Sequence, residues 1–420
     1  MDGETYDLVI VGGGLVGGSL ACALRGSRLR VCSLEAVAAD ADHQPSYDER
    51  VIALSWGSRR IFEGMGLWGD IAPGAEPIHR IHVSERGTFG FAHLDSAEQG
   101  VEALGYVAPA RVLGTAIRGA LACASDIDSL CPARLLGLVN GPDWVELEVA
   151  VGGEQRCLTT QLLAAAYGGE SLVRNQLGIG VRERPYGQDA IITTVTPDRP
   201  QPGVAYERFT DTGPLAMLPM TGGRWSVVWT SRKDETAALL GLTDSAFLAR
   251  LQERFGYRLG GLDRLGRRVA YPLRQVLATQ GVAGRVVLIG NAAHTLHPVA
   301  GQGFNLGLRY VAALAEVLVR ATRTGADPGG QAALADYAQW RRRDQSQSAL
   351  VTDALARLFG NPWAPLRLAR DLGLVGLDLI PAARRTLGRR FMGLGPAVGG
   401  DAGGRLPRLA RGLGLEGHRD

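Results

Sequence analysis

The chain has 420 residues, a net charge of +3, 46% hydrophobic residues and 21% charged residues. This composition excludes a disordered protein, and the length is too great for one simple core, so we expect two closely joined domains. The small positive charge gives no reason to expect nucleic-acid binding, although it is compatible with weak attraction to anionic lipid.

The N-terminal residues predict one βαβ unit. Residues 6–11 form a short apolar run that ends in glycines, as a buried strand does. Residues 15–25 then predict a helix and residues 29–35 a second strand. Residues 78–108 alternate around turn residues, which favours strands outside this unit, and residues 158–166 predict a further strand.

The pattern changes between residues 190 and 230, where β-branched and aromatic runs are separated by proline and glycine turns. This predicts an antiparallel sheet that forms the wall of a ligand pocket. A helix at 244–255, a buried strand at 285–289 and a helix at 304–322 follow. Beyond residue 331 the sequence is mostly helical.

The five cysteines and the N-terminus bear on the cellular compartment. The number of cysteines is odd and no two have C-x-x-C spacing, so we expect neither a disulfide framework nor a zinc site. The acidic start of the chain has no signal-peptide character, and no apolar run reaches about 18 residues. We therefore expect a soluble cytoplasmic protein without a membrane span or a bound metal.

The glycine-rich turn after the first strand has the spacing G-x-G-x-x-G. Gly12 permits the tight turn, Gly14 lets backbone N–H groups approach a pyrophosphate, and Gly17 lets the helix pack closely on the strand. Leu15 and Val16 lie at the start of the helix, where unpaired N–H groups favour an anion. The turn therefore predicts a dinucleotide site, with a purely structural turn as the alternative.

Glu35 supports the dinucleotide interpretation. It follows the second strand, where a carboxylate can accept a hydrogen bond from a ribose hydroxyl. NAD and FAD both use this arrangement, so the choice between them depends on the rest of the chain.

A second glycine-rich stretch follows the strand at 285–289 and favours FAD. A buried strand ends in a turn, and further glycines open a second helix whose N-terminus can face the flavin pyrimidine, which carries negative charge when reduced. The residues of this stretch that we expect at the cofactor are Gly290, Asn291, Pro298, Gly301, Gln302, Gly303 and Asn305.

With these motifs the chain resembles the class A flavoprotein aromatic hydroxylases, and among them the ubiquinone-biosynthesis hydroxylases, nearest to the octaprenyl-methoxyphenol hydroxylases. The likeness covers nearly the whole chain. The segments that carry it are residues 47–55, Arg208 with Phe209, and residues 213–219, 290–305, 351–353, 358–359 and 363–365.

The resemblance implies roles for individual residues. Arg50 would bind the phosphate or ribose region of FAD, Arg111 lies near a further FAD contact, and Asn291 faces the ribitol chain. Structural ion pairs are the alternative for both arginines. Pro298 and residues 301–303 would lie beside the isoalloxazine ring. The residues expected to line the substrate pocket are Leu215, Met217 and Pro219.

The resemblance also implies the activity. A noncovalently bound FAD would be reduced by NAD(P)H, a transient co-substrate, and would form a flavin hydroperoxide that hydroxylates the ring of a polyprenyl phenol. The choice of NADH or NADPH, the ring position and the oligomeric state are left open. The sequence has no second G-x-G-x-x-G that follows a strand, which disfavours disulfide reductases. Complexes with other ubiquinone-biosynthesis proteins would fit this activity.

Three positions depart from the family pattern. Relatives usually carry Asp where this chain has Tyr167 and Tyr310, and frequently Asn where it has Ala110. Because a carboxylate accepts charge-assisted hydrogen bonds, Tyr167→Asp is expected to bind FAD or NAD(P)H up to about tenfold more tightly. The departures leave open a non-catalytic or weakly active flavoprotein subunit, and a related prenyl-lipid reductase is a further alternative. A halogenase is disfavoured, because the only lysine, Lys233, lies in a charged turn.

The expected fold is α/β, with a Rossmann-type FAD-binding domain interleaved with an antiparallel β-sheet substrate domain and followed by a helical C-terminal segment. The expected bounds are 1–75, 100–180 and 281–330 for the FAD-binding domain, 76–99 and 181–280 for the substrate domain, 331–395 for the helical segment and 396–420 for a flexible tail.

Three groups of residues each have two interpretations. His294 and His297 are expected to pack or hydrogen bond, rather than to act as a base or a covalent link. Residues 341–343 predict a solvated helix face, with phosphate or lipid binding as the alternative. Residues 372–377 form either an interfacial amphipathic surface at the inner membrane or ordinary packing beside a basic face. The nearby basic residues are Arg384, Arg385, Arg389 and Arg390.

Overall fold

The computed structural model describes residues 4–38, 50–169, 171–295, 301–342, 364–394 and 407–415. Within these residues the strands are, in chain order, β1 (Glu4–Val11), β2 (Val31–Leu34), β3 (Val51–Ser55), β4 (Glu76–Ile78), β5 (Arg80–Glu85), β6 (Phe91–Asp95), β7 (Gly105–Pro109), β8 (Ile127–Leu130), β9 (Ala133–Asn140), β10 (Val145–Val151), β11 (Glu154–Ala165), β12 (Val181–Pro197), β13 (Val204–Thr210), β14 (Gly213–Pro219), β15 (Trp225–Arg232), β16 (Leu262–Asp263), β17 (Val269–Ala278), β18 (Val282–Ala283), β19 (Val286–Leu288) and β20 (His294–Thr295). The helices are α1 (Leu15–Ala23), α2 (Trp56–Gly64), α3 (Trp68–Ile71), α4 (Ser96–Gln99), α5 (Ala110–Ala122), α6 (Leu172–Gln176), α7 (Lys233–Leu240), α8 (Asp244–Phe255), α9 (Gln302–Arg323), α10 (residues 331–342), α11 (Ala364–Leu379) and α12 (Pro381–Phe391).

The first sheet holds the N-terminal βαβ unit. Strands β8, β2, β1, β11 and β19 run parallel in that order, and β9 and β10 extend from β11 as an antiparallel pair. Leu20 of α1, Ile117 of α5 and Leu314 of α9 are buried in one core on this sheet. Parallel strands covered by helices place the loops that follow β1, β2 and β19 at one edge, which is where such sheets bind nucleotides.

The second sheet is mostly antiparallel and runs in the order β20-β17-β12-β15-β14-β13-β5-β6. Helix α8 covers one face, where Phe247, Leu251 and Phe255 are buried against the sheet. Helix α11 packs on the opposite face, where Leu374 contacts Ala92 and Phe209. Because side chains alternate along a strand, neighbouring residues of β13 and β14 therefore face two different environments.

A third, small sheet of β3, β7 and β4 joins the other two. Val51 and Val107 of this sheet pack on Ala205 and Leu218 of the second sheet. Strand β3, which follows Arg50, is therefore in contact with the second sheet.

The predicted α/β class with a separate antiparallel sheet is confirmed. The helix predicted at 244–255 has these bounds in α8, and the helix predicted at 304–322 is α9. The predicted domain bounds stay a proposal, which is supported by the pairing of β5 with β13 in the second sheet. None of the helices in the described part of the chain is long and apolar enough to span a bilayer.

Two expectations about the C-terminal part are wrong. Residues 407–415 are not a loose tail, because Leu409 and Ala410 are buried in the core and Leu409 lies beside Gly64 at the end of α2. Arg341 is not solvated: it is 4% exposed, and its guanidinium lies over the ring of Tyr310. Helical periodicity could not show this, because it does not reveal which face of α10 meets a neighbour. Arg343 lies outside the described residues.

Candidate cofactor and active site

The first glycine-rich turn has the tight geometry that its spacing predicts. Gly12 has φ +103°, a conformation that glycine adopts readily, and a Cβ there would lie 2.9 Å from the carbonyl carbon of Ala166. A Cβ at Gly17 would lie well inside the van der Waals contact distance of the Gly12 carbonyl oxygen. Gly14 caps α1 without a side-chain hydrogen bond, so the first N–H groups of α1 are open to an anion.

A cavity of about 390 Å³ lies beside this turn, and the residue that is predicted to bind the ribose of FAD lines it. Glu35 lines it together with Gly13 and Gly14, and its carboxylate accepts a hydrogen bond from the backbone N–H of Val37 at 2.9 Å. The apolar part of the wall comes from Ile117, Leu121, Ile127 and Leu130. Polar turn and apolar wall suit the pyrophosphate and adenosine of FAD, so the residues present fit this half of the cofactor.

Ser33, Arg118 and Ser129 also line this cavity, although sequence reasoning missed them. The two serines lie at strand ends, and the sequence around them contains no binding motif that would have pointed to them. Arg118 follows Arg111 by seven residues, two turns of α5, so helical spacing could have suggested it. Arg111 itself is exposed, and its predicted FAD contact stays a prediction.

The second glycine-rich turn lies directly against the first. A Cβ at Gly290 would be 3.2 Å from three carbon atoms of Val16, and one at Gly307 would be 3.5 Å from Val16. The two motifs, almost 280 residues apart in the sequence, therefore form one site, as a single bound FAD requires. Asn291 is exposed at this junction and stays a predicted ribitol contact.

Arg174 of α6 holds the loops of this junction together. It is buried and donates to the carbonyl oxygens of Ala292, at 3.2 Å, and Gly169, at 2.7 Å. The sequence carried no signal for this role, because a lone arginine in a short helix is ordinarily a surface residue.

Asn305 is at the flavin end but does not have the predicted role. Its Oδ1 accepts from the Ser55 N–H at 2.8 Å and the Ser58 hydroxyl at 2.7 Å, and its Nδ2 donates to the carbonyls of Ala53 and Gly301. These four bonds satisfy the amide, and the residue is 1% exposed. Asn305 therefore fixes the turn around Gly301 and does not itself contact the cofactor.

The other predicted flavin contacts have a mixed outcome. Gly301 has φ +61° and caps α9, and a Cβ at Gly303 would meet nothing within 4 Å, which leaves this turn open to a ligand. The guanidinium of Arg50 lies 5.5 Å above the ring of Tyr271, and its FAD contact stays a prediction. Pro298 and His297 lie outside the described residues, as does the side chain of Gln302.

His294 packs against the turn that is predicted to lie at the flavin end of the site. It is buried, its Nε2 lies 3.4 Å from the Gly303 carbonyl oxygen, and its ring meets Tyr310 edge to face. Burial, with the charge of Arg341 as a second cause, lowers the pKa of His294 to about 4. A neutral, buried imidazole packs here, which agrees with the packing role expected of it.

Two of the three predicted pocket residues are placed elsewhere. Leu215 and Met217 are fully buried on the α8 face of the second sheet, beside Phe247 and Leu251. This packing contradicts the prediction that they line the substrate pocket. The alternate residues of β14, including Leu218, face the small sheet instead. Pro219 is buried at the end of β14 and stays a prediction.

Tyr167 follows β11 and packs against a second core on the first sheet. Burial and the nearby Glu35 raise the pKa of its hydroxyl, and a backbone hydrogen bond of Leu135 acts in the opposite direction. We expect Tyr167→Phe to lower the free energy of unfolding by about 1 kcal/mol, through loss of this bond, without changing FAD affinity. Urea unfolding measures the change in the free energy of unfolding, and an FAD titration of the apoprotein measures the FAD affinity. A tenfold loss of FAD affinity would instead show that the hydroxyl contacts the cofactor.

Comparison with known proteins agrees with this geometry. A family model described as FAD binding domain matches residues 5–351. The ubiquinone hydroxylase UbiL of Rhodospirillum rubrum is 41% identical over 98% of this chain and 94% of its own length. The 3-demethoxyubiquinol 3-hydroxylase of Escherichia coli is 33% identical over 94% of this chain and 100% of its own length.

Among solved structures, the p-nitrophenol 4-monooxygenase of Pseudomonas putida superimposes with a TM-score of 0.77, covering 94% of this chain and 100% of that one. At 21% identity this likeness shows the fold alone. The finer resemblance to octaprenyl-methoxyphenol hydroxylases stays a prediction. The chain therefore belongs to the FAD binding domain family, as a flavoprotein monooxygenase of the ubiquinone hydroxylase group.

Proposed function

We propose that the protein hydroxylates the aromatic ring of a polyprenyl phenol in ubiquinone biosynthesis, with FAD as cofactor and NAD(P)H and dioxygen as co-substrates. The observation that carries this proposal is the 41% identity to a ubiquinone hydroxylase over 98% of the chain, with both cofactor motifs in contact. FAD, when bound, supplies the redox chemistry with dioxygen that ring hydroxylation requires.

The chain would bind and orient the reactants. The open N–H groups of α1 would hold the pyrophosphate and Glu35 the ribose, while the turn at Gly301 and the N-terminus of α9 would hold the flavin end. The face of the second sheet that carries Ala205 and Leu218 would form an apolar wall for the phenol and limit the access of water.

Oxidation of NAD(P)H tests this function. The purified holoprotein should oxidise NADH or NADPH faster when a short-chain polyprenyl phenol is added, and mass spectrometry should find a product heavier by one oxygen atom. A phenol-independent oxidation rate with no hydroxylated product would reject the proposal.

We further propose that the protein meets a lipid bilayer through an apolar edge, defined as Phe89, Phe91, Leu372, Leu379 and Ile380. These side chains are between 42% and 73% exposed. They lie on neighbouring elements, because Asp371 accepts from the Gly90 N–H and Asp378 from the His93 N–H. A polyprenyl phenol partitions into lipid, so a surface that reaches the bilayer would bring the enzyme to it.

The apolar edge differs from the surface first expected. Leu374 and Leu377 pack on the second sheet, and Arg384 pairs with Glu98, so these residues are not available to lipid. Flotation with phosphatidylglycerol vesicles tests the proposal by comparing a Phe89→Ser/Leu372→Ser/Leu379→Ser variant with a Val139→Ser/Trp144→Ser control, whose residues are exposed elsewhere. Loss of binding in the first variant alone supports lipid contact, and absence of wild-type binding rejects it.

A further inference from the structure

Glu207 lies on the face of the second sheet that is turned toward the cofactor site. Its neighbours on the same face of β13 are Ala205, which packs with the small sheet, and Phe209, which packs with α11. Across the strands it pairs with Val83 and Ala216. Glu207 is therefore a carboxylate in an apolar wall between the small sheet and α11.

A chain of contacts links this wall to the flavin end of the site. A Cβ at Gly301 would lie 3.0 Å from the Cβ of Ala53 in β3, and Val51 of the same strand packs in the cluster that contains Ala205. Glu207 is two residues from Ala205. Glu207 therefore lies on the face of the second sheet that contacts β3, the strand beside the Gly301 turn.

Glu85 provides a comparison on the same face. Its carboxylate is paired with Arg370 of α11 at 2.6 and 3.0 Å, and the two side chains are 8% and 1% exposed. A buried pair of this kind has a structural role. Glu207 has no such partner among the described residues, although it retains part of its accessible surface.

We propose that Glu207 is a catalytic residue that accepts the proton of the substrate's phenol hydroxyl, a role that rests on the proposed function. The phenol O–H bond breaks and an O–H bond forms on the carboxylate, while the electron pair stays on the phenol oxygen. The resulting negative charge raises the electron density of the ring that receives the oxygen atom. When the ring becomes aromatic again, Glu207 returns its proton to the phenol oxygen and the ring C–H proton leaves to solvent.

The titration of Glu207 suits this role. Burial raises the pKa of Glu207 to about 7, and no charged neighbour contributes. Among the described residues of the surrounding elements, Glu85 is paired with Arg370, Asp371 accepts from the Gly90 N–H and Asp378 accepts from the His93 N–H, while burial raises the pKa of Glu76 in β4. A general base is most effective when its pKa lies near the working pH.

The test uses Glu207→Gln in the holoenzyme. We expect its FAD content and its reduction by NAD(P)H to match the wild type, while kcat for phenol hydroxylation falls about 100-fold or more. The wild-type kcat should rise with pH around neutrality, and this rise should be lost in Glu207→Gln and partly restored in Glu207→Asp. Glu85→Gln is the control: it should lower Tm but keep the pH profile.

An infrared titration gives a readout that does not depend on turnover. The wild type should show a carboxylic acid C=O band that disappears around pH 7 and is absent from Glu207→Gln. A variant that keeps wild-type kcat and pH profile would overturn the role of Glu207 while the proposed function stands. A wild type that shows the band but hydroxylates no phenol would overturn the proposed function.

Discussion

Gly17→Ala should abolish FAD binding, with a loss of affinity of about 100-fold or more. Gly17 is on the first turn of α1, and any Cβ there would overlap the carbonyl oxygen of Gly12 and lie 3.0 Å from the Cβ of Ala166. Helix and turn would have to separate, which moves the open N–H groups of α1 away from the pyrophosphate. Titration of FAD into apoprotein, followed by flavin fluorescence, measures the loss.

The matched control is Gly119→Ala in α5. This glycine is also helical, but it is exposed and a Cβ there meets nothing within 4 Å. Its substitution should leave FAD affinity unchanged and add slightly to stability, because alanine favours a helix by up to about 1 kcal/mol over glycine. Normal FAD content in purified, folded Gly17→Ala would contradict the assignment of the first turn to the pyrophosphate.

Asn305→Ala should lower the free energy of unfolding by about 3–6 kcal/mol. The variant leaves four groups without their partner, of which the Ser55 N–H and the Ser58 hydroxyl belong to buried residues. An unsatisfied buried group costs about 1–3 kcal/mol, and the carbonyls of Ala53 and Gly301 lose a donor as well. Guanidinium unfolding monitored by circular dichroism measures the change.

FAD affinity should fall in the same variant, because Asn305 ties the Gly301 turn to β3. Asn175→Ala, at an exposed position of α6, is the control and should cost less than about 1 kcal/mol. A stability change in Asn305→Ala no larger than that of the control would show that the four bonds do not fix this turn.

The parts of the fold that could be predicted have strong local patterns. The strand before Gly12, the helix after it and the helix at 244–255 have the periodicity of their class, and the glycine spacing fixed the first half of the cofactor site. Contact between Val16 and Gly290 followed once both motifs were assigned to one ligand.

Other features depend on which face of an element meets a neighbour. Leu215 and Met217 alternate as pocket residues would, but α8 covers their face of the sheet. Arg341 and Arg342 are adjacent in α10, yet only the first is buried. Glu207 gave no signal, because a single acid in a strand is ordinarily a solvent-facing residue, and only the packing of Ala205 and Phe209 shows otherwise.

We propose above all that the chain holds one FAD across both glycine-rich turns and that, with FAD bound, the protein hydroxylates a phenol ring with oxygen from dioxygen. Turnover of the wild-type holoprotein under oxygen-18 gas tests it most directly, with a polyprenyl phenol and NAD(P)H and with Gly17→Ala as control. We expect one labelled oxygen atom per product molecule and an amount of product that matches the amount of NAD(P)H consumed. We expect no product from Gly17→Ala. Unlabelled product, or labelled product formed equally by the Gly17→Ala variant without bound FAD, would contradict the claim.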